Sequence, residues 1–596
     1  MNDKKYIGSQ ALQQLVKNSK NTITGFRNLL GKKYIFSYIP FKLFVHHQPR
    51  FSEIHQSQST TSAPVIQHPN ISDEPAYKVQ ILQPAPKPLP NSHAPSALAT
   101  PIASHAPTPR SEPIAAERIL SVSDVATIFI KSLIQSAQDF LGKKIQGAVI
   151  TVPATFTDAQ RTALEKAATN AGVNVLQLLD EAGAAAATTT TDLWSSNLQV
   201  DRTQLVVDLG SSSLSLSLLS VREGLTYVLA SSHSSNIGGD QIDDKLIKFF
   251  ATDFTKKTKT PLTVCPSTDI SDKRAEAKLR LAIEHTKRTI SASPGAATCS
   301  VESLKDGIDY TGSINRMRFD MVVNAVYLAV ASAVSALLAD AGVDAHNVDE
   351  IVYVGGTTCL PGLDACICVS GGFREEIETP FSRGTVVGGG IGDPTTILAR
   401  GSAFQAALIS SINDSEAELR EAFSRETKMN EVKATTRTLG VLSPNNSQEG
   451  KEVGGTWIPV IQKETALPAR RIVSFDVELT DDSKRIALEV WEVKEGIRVE
   501  KIMLSKSDDD DDDEEDEEDE VEVKHRTLSK EVLLGAIETN AKLGIQIKGK
   551  SKDKGRWFTR VEVQFIVGID GNLEVDLKEV GTGLDGATAQ LRVPAP

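Results

Sequence analysis

The stretch Leu205-Val206-Val207-Asp208-Leu209-Gly210-Ser211-Ser212-Ser213 decides the fold, because an apolar, β-branched run ends there in a glycine turn. Two later glycine turns have the same form, Gly238-Gly239-Asp240-Gln241 after Ser235-Asn236-Ile237, and Gly355-Gly356-Thr357-Thr358 after the apolar Ile351-Val352-Tyr353-Val354. Glycine lets backbone N–H groups approach an anion closely, so each turn is a candidate phosphate cradle. One such turn alone indicates only a tight loop of an α/β domain. Three together predict a nucleotide cleft between two lobes.

The length and the cysteine content limit the class of protein. A chain of 596 residues is too long for one core, and at about 150 residues per domain it predicts three or four units. The five cysteines show no regular spacing, which favours a reducing compartment over a disulfide-rich secreted fold. Cys366 and Cys368 form a lone C-x-C. No second ligand pair with zinc spacing is visible, so we expect packing or loop cysteines there and no metal site.

The net charge of −13 comes from one segment. Asp508 to Glu520 is an unbroken run of carboxylates that leaves the rest of the chain near neutral. Because like charges repel and such a run buries no apolar area, we predict a solvated loop or an interaction tail.

The hydrophobic segments do not predict a signal or a membrane span. The N-terminal residues lack the apolar core of a secretory signal. Tyr34 to Val45 is apolar, but Pro40 and Lys42 interrupt it, and it is shorter than the ~20 residues that a span requires. Met321 to Leu338 comes nearer, yet polar residues break it and we predict a buried core helix. The sequence therefore predicts a soluble cytosolic protein with no membrane partner.

Proline marks an insert near the beginning of the chain. Residues 64–113 hold twelve of the 26 prolines, which favours extended conformations and disfavours a packed core. We predict that residues 34–117 form a largely disordered insert with at most one short strand, near Tyr77 to Leu82. Residues 1–33, before it, are predicted to be a remnant of a first lobe.

Residues 118–411 alternate strands and helices, which predicts an α/β domain with covering helices. Thr157 can cap a helix that follows the end of a strand at Pro153. The predicted helices cover residues 122–140, 182–187, 275–291, 321–341 and 394–411, and the predicted strands cover 147–152, 174–179, 204–207 and 213–221.

Short β-rich runs separated by turns follow after about Lys428. They predict a small β-sandwich domain at residues 438–596, joined by a linker at 412–437 and split by the acidic loop at 508–520. Asp570-Gly571-Asn572-Leu573 is a hairpin signal between alternating strands. The predicted strands cover residues 455–461, 471–479, 486–493 and 560–567.

Several motifs together resemble the heat-shock protein 70 family, whose nucleotide domain has the actin-like, two-lobed ATPase fold. Residues 148–154, with Thr157-Asp158-Ala159-Gln160-Arg161, are similar to the family's strand and helix before its second phosphate loop. Glu181 with Ala184-Ala185-Ala186 is similar to its Glu-Pro-Thr-Ala-Ala-Ala, with Ala182 in place of proline. Residues 355–361 are similar to its Gly-Gly-x-Thr-Arg-x-Pro turn. The resemblance covers roughly residues 6–34, 120–411 and, more weakly, 438–583.

This resemblance implies ATP as the ligand. Glu284, Lys287, Arg288 and Ser291 have the spacing of the family's adenosine clamp, although charges on a helix are ordinarily solvated. Further contacts to the nucleotide are implied at Gly210, Ser211, Ser212, Gly238, Gly239, Asp240, Gly355, Gly356 and Thr357.

Departures from the family pattern concern hydrolysis, which depends on positioning and on charge neutralisation by metal and lysine. Leu12 stands where the family has its catalytic lysine, and Ser215 where it has a metal-side aspartate. Cys359 replaces an arginine that would pack on adenine. Asp208 and Glu181 remain as residual catalytic candidates. The resemblance thus implies ATP binding with hydrolysis lost, and it leaves bound Mg²⁺ in doubt.

The first phosphate loop of the family would precede Gly8 and has no counterpart here. We expect a truncated start, in which residues 35–50 are a mis-spliced insert, rather than a chain that truly begins at Met1. Within the family, the chain resembles the atypical fungal member of the ribosome-associated complex. That resemblance implies a J-protein partner of the zuotin type, indirect association with the ribosome in the cytoplasm, and nascent polypeptides as possible clients.

Three functions compete at this point. The first is a nucleotide-binding, hydrolysis-poor co-chaperone, and the second is a working ATP-driven foldase in which Asp208 and Glu181 organise Mg²⁺ and water. The third is nucleic-acid binding through a basic stretch with an adjacent aromatic residue. A solvated hairpin loop explains that stretch equally well, and the acidic run opposes phosphate, so direct nucleic-acid binding is the least favoured. Its residues are Lys548, Lys550, Lys552, Lys554, Arg556, Trp557 and Arg560.

Overall fold

The chain forms two compact units, each assembled from three separated segments. The first comprises Met1–Ala184, Gly238–Val326 and Leu398–Glu426, and the second Ala185–Ile237, Tyr327–Ile397 and Thr427–Pro596. The computed structural model describes residues 5–34, 63–83, 114–191, 198–386, 390–413, 415–418, 421, 433–443, 453–479, 484–503, 520–547, 556–581 and 585–595.

Within these ranges the α-helices are, in chain order, α1 (Ser9–Leu12), α2 (Gln14–Lys17), α3 (Val122–Leu141), α4 (Asp158–Asn170), α5 (Glu181–Thr189), α6 (Gly239–Thr258), α7 (Ile270–Ala292), α8 (Arg316–Ala341), α9 (Pro361–Ser370) and α10 (Ile397–Ser411). The strands are β1 (Val65–Gln67), β2 (Pro75–Gln83), β3 (Ile114–Ser121), β4 (Ala148–Val152), β5 (Val175–Asp180), β6 (Arg202–Leu209), β7 (Leu214–Arg222), β8 (Leu225–Ser234), β9 (Ala296–Lys305), β10 (Ile308–Asn315), β11 (Glu350–Val354), β12 (Thr438–Ser443), β13 (Thr456–Ile461), β14 (Ala469–Leu479), β15 (Arg485–Met503), β16 (Glu520–Asn540), β17 (Ile545–Ile547), β18 (Arg556–Val567), β19 (Leu573–Val580) and β20 (Thr588–Val593).

The proline-rich insert holds more structure than its composition predicts. Strands β1, β2 and β3 form an antiparallel sheet, where the sequence predicted at most one short strand. Tyr77 of β2 is completely buried and belongs to a core with Leu30 and Val122. The prediction of a single strand was therefore wrong, because β2 is stabilised by pairing with β3, about thirty residues later in the chain. Residues 35–62 and 84–113 lie outside the described part, as do the predicted features within them.

Local signals set the helices that follow this sheet. Ser121 caps α3, and Thr157 caps α4 as the sequence predicted; each side chain accepts from the backbone N–H three residues on, in a capping box. Strands β4 and β5 pair in parallel. Arg161 of α4 donates to the Asp180 carboxylate at the end of β5 at 2.7 Å, and this contact fixes the helix beside the strand pair.

The sheet of the second unit has the strand order β11-β6-β7-β8. Strand β11 is parallel to β6, whereas β6, β7 and β8 form an antiparallel meander. Strands β6, β7 and β11 are apolar and mostly buried, in agreement with strands covered on both faces. The sequence did not predict β8, whose residues are mostly exposed.

A buried ion network joins the first residues of β6 and β11. Glu350 accepts from Arg202 at 2.9 Å, from Gln204 at 2.9 Å and from Arg383 at 2.6 Å. Its side chain is only 1% exposed. Each carboxylate oxygen is thus satisfied, which offsets part of the cost of burying the charges.

Helix α8 contains the segment that resembles a membrane span. It has a mean hydropathy of 2.0 in its most apolar window, so length and composition alone would permit it to cross a membrane. Phe319, Val323, Val330 and Val334 form a fully buried seam along it. This is the pattern of a core helix in a globular protein, as the sequence predicted.

The C-terminal strands form two antiparallel sheets around one core. One sheet has the order β13-β12-β15-β16, and the other has the order β14-β18-β19-β20, with β17 paired to β18. Val490, Ile537, Val563 and Phe565 are buried in the shared core. The predicted turn at 570–573 joins β18 to β19, where Val567 faces Leu573.

Strands β15 and β16 continue well beyond this core as a hairpin arm, which we define as residues 494–503 and 520–530. The sequence predicted a strand over 486–493 only, so the arm is a correction. Lys524 of the arm contacts the Asp344 carboxylate at 3.0 Å. Arg526 contacts Asp349 at 3.0 Å and donates to the carbonyl of His346 at 3.2 Å. The arm therefore holds the loop that leads directly into β11. Residues 504–519, which include most of the acidic run, lie outside the described part.

Glu579 is a buried carboxylate that organises loops of the β-sandwich. It accepts from the Thr559 hydroxyl at 2.6 Å and from three backbone N–H groups, those of Lys542, Leu543 and Ala587, at 2.8–3.1 Å. Burial by itself raises the pKa of Glu579, but these donors favour the carboxylate and lower that pKa below its ordinary value.

We expect Glu579→Gln to lower the free energy of unfolding of the β-sandwich by about 2 kcal/mol at pH 7, because charge-assisted hydrogen bonds are lost. The wild-type contribution should be complete above the pKa of an unfolded glutamate, about 4.3, and should disappear as pH falls through the lower folded value. Urea unfolding followed by tryptophan fluorescence would measure this, since Trp457, Trp491 and Trp557 lie in these sheets. Glu574→Gln, at a more exposed position on β19, is the matched control. An equal loss in the two variants would contradict the assignment.

Candidate functional site

Two of the three predicted glycine turns lie side by side in the second unit. Val354 at the end of β11 is paired with Asp208 near the end of β6, so the turns that follow these parallel strands are neighbours. Gly355 has φ +94°, and a Cβ on it would lie 2.6 Å from the Leu209 carbonyl oxygen. The Thr357 hydroxyl donates to the Gly210 carbonyl at 3.4 Å. Only glycine permits this close approach of the two turns.

The backbone N–H group of the first glycine in each of the three turns donates a hydrogen bond within the protein. Gly210 donates to Ser213 at 2.9 Å and Gly355 donates to Pro394 at 2.9 Å. In the first unit, Gly238 donates to the Gln241 side chain at 3.0 Å. Close approach of a phosphate at these residues, which stays a prediction, therefore depends on their small size and not on their own N–H groups.

The third turn opens a helix in the first unit. Gly238 precedes α6, a helix of 20 residues whose first turn is Gly239, Asp240 and Gln241. A helix of this length presents backbone N–H groups and a positive dipole end to an anion. Asp240 opposes this, but burial and then the neighbouring Asp243 carboxylate raise the pKa of Asp240 above its ordinary value.

The four predicted adenosine contacts lie on α7, which packs against α6. Lys287 contacts Asp243 at 2.7 Å and Glu284 at 3.0 Å. Arg288 contacts Glu284 at 3.0 Å and is 78% exposed at its side chain. Ser291 follows one turn later, and its carbonyl accepts from Arg316 at 3.4 Å. The structure thus joins this set to the beginning of α6 through the Lys287–Asp243 contact.

The electrostatics of this set are balanced within the protein. Burial alone would lower the pKa of Lys287, but the Asp243 and Glu284 carboxylates raise it above the ordinary lysine value. For Asp243, the effect of burial is larger than the opposite effect of the Lys287 ammonium, so the pKa of the Asp243 carboxyl is raised above its ordinary value. The ammonium is therefore held in place as a positioned cation, which suits contacts to hydroxyl and ring-nitrogen acceptors of an adenosine.

The two residual catalytic candidates, Glu181 and Asp208, lie in different units, and Leu12 lies in the first. Leu12 ends the four-residue helix α1, and the residue is 46% exposed. The next helix, α2, packs against α7. Glu181 begins α5 and contacts Arg27 at 3.6 Å. Asp208, by contrast, lies in the second unit at the end of β6.

Comparison with known proteins decides the family. A family model described as "Hsp70 protein" matches residues 106–450, more than half of the chain. The chain belongs to the Hsp70 family. It is 29% identical over 564 residues to the "Heat shock protein 70 homolog C57A7.12" of Schizosaccharomyces pombe, covering 93% of this chain and 85% of that protein. It is 27% identical over 466 residues to the "Ribosome-associated complex subunit SSZ1" of Saccharomyces cerevisiae, covering 78% and 72%. A "Heat shock 70 kDa protein" of Emericella nidulans is 30% identical over 370 residues, covering 62% and 51%.

Membership in the Hsp70 family confirms the fold class. The chain has the actin-like ATPase fold of these nucleotide-binding chaperones, and a β-sandwich follows it. The sequence identified the glycine turns and the set on α7, but it missed two polar partners. Asp243 pairs with Lys287, and His233 contacts Ser215 at 3.0 Å. The strand β8, which carries His233, has a polar second half that gave no strand signal.

The basic stretch proposed for nucleic acid is only partly described. Lys548 to Lys554 lie outside the described residues. Trp557 lies in β18, and the Lys484 ammonium is 4.1 Å from its ring centroid. That cation–π contact engages one face of the ring, on which a base would otherwise stack.

Proposed function

We propose that this Hsp70 protein binds ATP, hydrolyses it poorly, and acts with a J-protein in a cytoplasmic ribosome-associated complex that assists nascent polypeptides. The proposal rests on Leu12, which the resemblance puts where the family has its catalytic lysine. An alkyl side chain cannot stabilise charge that develops on a transferring phosphoryl group. The relative named as a ribosome-associated complex subunit supports the choice of complex.

Two sets of residues would bind different parts of the nucleotide. On α7, Lys287 and Arg288 supply donors to the adenosine, while Asp243 and Glu284 orient them. In the second unit, Gly210 and Gly355 leave room for phosphate beside the ends of β6 and β11. These interactions would supply binding energy, while the alkyl side chain of Leu12 supplies no positive charge to the transition state.

An active ATP-driven foldase is the second candidate. It rests on Asp208 at the end of β6 and on Glu181 at the start of α5. Under that alternative these carboxylates organise Mg²⁺ and the attacking water, and Asp208→Asn abolishes turnover.

Purified full chain should bind ATP and ADP while single-turnover hydrolysis stays at the rate of the uncatalysed reaction. Isothermal titration and a radiolabelled-phosphate assay measure the two properties. Lys287→Ala should weaken binding about tenfold or more, because a positioned charge-assisted donor is lost. Lys278→Ala, on the same helix outside the predicted set, should leave affinity unchanged. Peptide-stimulated turnover of the wild type would overturn the proposal in favour of the foldase.

The partner is tested separately. Co-purification with a J-protein of the zuotin type, and co-sedimentation with ribosomes only when that J-protein is present, are the expected results. Ribosome association in its absence would contradict indirect attachment.

A further inference from the structure

Helix α8 has an uncharged, largely apolar face on the side opposite its buried seam. Met317 is 75% exposed, Met321 63% and Leu328 48%. The helix has no charged residue between Asp320 and Asp340. A surface helix ordinarily has charged residues on its outer face, and contiguous exposed apolar surface marks an interaction site. The described residues leave this face uncovered.

Seven exposed residues of this face lie on one line along the helix. They recur every three or four residues, the spacing that puts side chains on one side of an α-helix. The steps between them are four, three, four, four, three and four residues, an order that is the same in both directions. We call these residues the α8 stripe: Met317, Met321, Asn324, Leu328, Ser332, Ser335 and Ala339.

This spacing makes the α8 stripe complementary to itself. When two copies of α8 lie antiparallel about a two-fold axis through Leu328, each stripe residue faces a stripe residue of the second copy, as an isologous interface requires. The two methionines then face the small residues Ser335 and Ala339, and Asn324 faces Ser332. Large residues opposite small ones allow two helices to approach closely and to interdigitate.

The charges near the two ends of the stripe are complementary in the same arrangement. Arg318 and Asp340 are both exposed. Position 318 of one copy lies opposite position 338 of the other, so Arg318 and the second Asp340 lie on one flank, about 3 Å apart along the axis. The Arg318 guanidinium also lies 5.9 Å from the Phe249 ring centroid, a cation–π contact that uses none of its N–H groups as donors. The two-fold axis creates the Arg318–Asp340 pair twice, which favours the antiparallel orientation.

We propose that the outer face of α8 is the interface of a homodimer, in which α8 packs antiparallel against α8 of a second copy of this chain. The second copy is the occupant because the stripe has the same order of steps in both directions and because the charges near its ends are opposite in sign. The stripe is about 33 Å long, which gives an interface at the small end of specific interfaces and association in the micromolar range. The inference does not depend on nucleotide binding.

Sedimentation velocity of the purified full chain at about 1–100 μM tests the inference. The wild type should show a monomer–dimer equilibrium. Leu328→Arg should weaken dimerisation at least about tenfold, because two like charges would meet at the two-fold axis. Leu328→Met keeps an apolar residue of similar size and should leave the dissociation constant within about threefold. A wild type that stays monomeric throughout, or a dimer that Leu328→Arg does not weaken, overturns the inference.

A charge exchange tests the orientation of the two helices. Arg318→Asp and Asp340→Arg should each weaken dimerisation about tenfold, because each sets like charges opposite each other twice. The double variant restores opposite charges and should return the dissociation constant to within about threefold of the wild-type value. Arg274→Asp makes the same charge change at an exposed position of α7 and should have no effect. A double variant that is folded by circular dichroism but remains as weak as the single variants overturns the antiparallel pairing.

A lipid surface is the other class of partner that an uncharged helix face fits. Co-sedimentation with vesicles of phosphatidylcholine distinguishes it from a second copy. We expect the wild type to remain in the supernatant. Co-sedimentation that Leu328→Arg abolishes would assign the face to lipid and overturn the inference.

Discussion

Glu350→Ala should lower the free energy of unfolding of the second unit by about 3–5 kcal/mol, the cost expected when one member of a buried ion network is removed. The loss leaves the Arg202 guanidinium, which is 7% exposed, and the Arg383 guanidinium, which is 13% exposed, without their shared carboxylate. Arg383 would keep its ion pair with Glu378, whereas Arg202 would lose the carboxylate that pairs with it. Hydrogen exchange of the β6 and β11 amides measures the effect where it arises, because local opening of these strands is resolved from unfolding elsewhere.

The control for this prediction is an exposed ion pair in the same unit. Arg485 and Glu538 lie 3.5 Å apart with more than half of each side chain exposed. Glu538→Ala should change stability by less than about 1 kcal/mol. If the β6 amides exchange hydrogen at the same rate in the Glu350→Ala and Glu538→Ala variants, the Glu350 network contributes no more to stability than a surface ion pair does.

Gly355→Ala should destabilise the second unit by about 2–3 kcal/mol and weaken nucleotide binding at least tenfold. The residue has φ +94°, where a side chain is strained. Its new Cβ would meet the Leu209 backbone oxygen, which cannot move without displacing the end of β6. The two glycine turns would separate, and the phosphate region would widen. Thermal unfolding and ATP titration measure the two effects.

The adjacent glycine is the matched control for stability. A Cβ on Gly356 would meet nothing within 4 Å, so Gly356→Ala should alter stability by no more than about 0.5 kcal/mol. Equal destabilisation by the two substitutions would show that the close approach at Leu209 carries no special cost.

Local signals explain what the sequence could predict. Thr157 with Gln160 predicts the start of α4, because a capping box depends on neighbours three residues apart. The turn at 570–573 predicts the β18–β19 hairpin for a similar reason. The glycine turns predicted the positions of the candidate site, since a β-branched run that ends in glycine is visible within ten residues.

Long-range pairing explains what the sequence could not predict. The hairpin arm alternates lysine, arginine and glutamate, and its strands are stabilised by pairing with each other across the acidic run and by ion pairs such as Lys524 with Asp344. Lys287 was predicted to face a ligand. Its partner Asp243 comes from a helix about forty residues earlier, and no local spacing indicates that contact. The predicted domain boundaries stay predictions, as do the nucleotide contacts.

The interleaving of the two units has a consequence for synthesis of the protein. The first unit includes Leu398–Glu426 and the second extends to the last residue. At about 5–20 residues per second, residues 1–426 take roughly 20–85 seconds to synthesise, and the first unit cannot close before they are made. Strand β11 is made about 140 residues after β6, so at that rate the edge of β6 that β11 covers stays unpaired for roughly 7–28 seconds. A protein that is proposed to assist nascent chains thus itself passes through an incompletely folded state while it is synthesised.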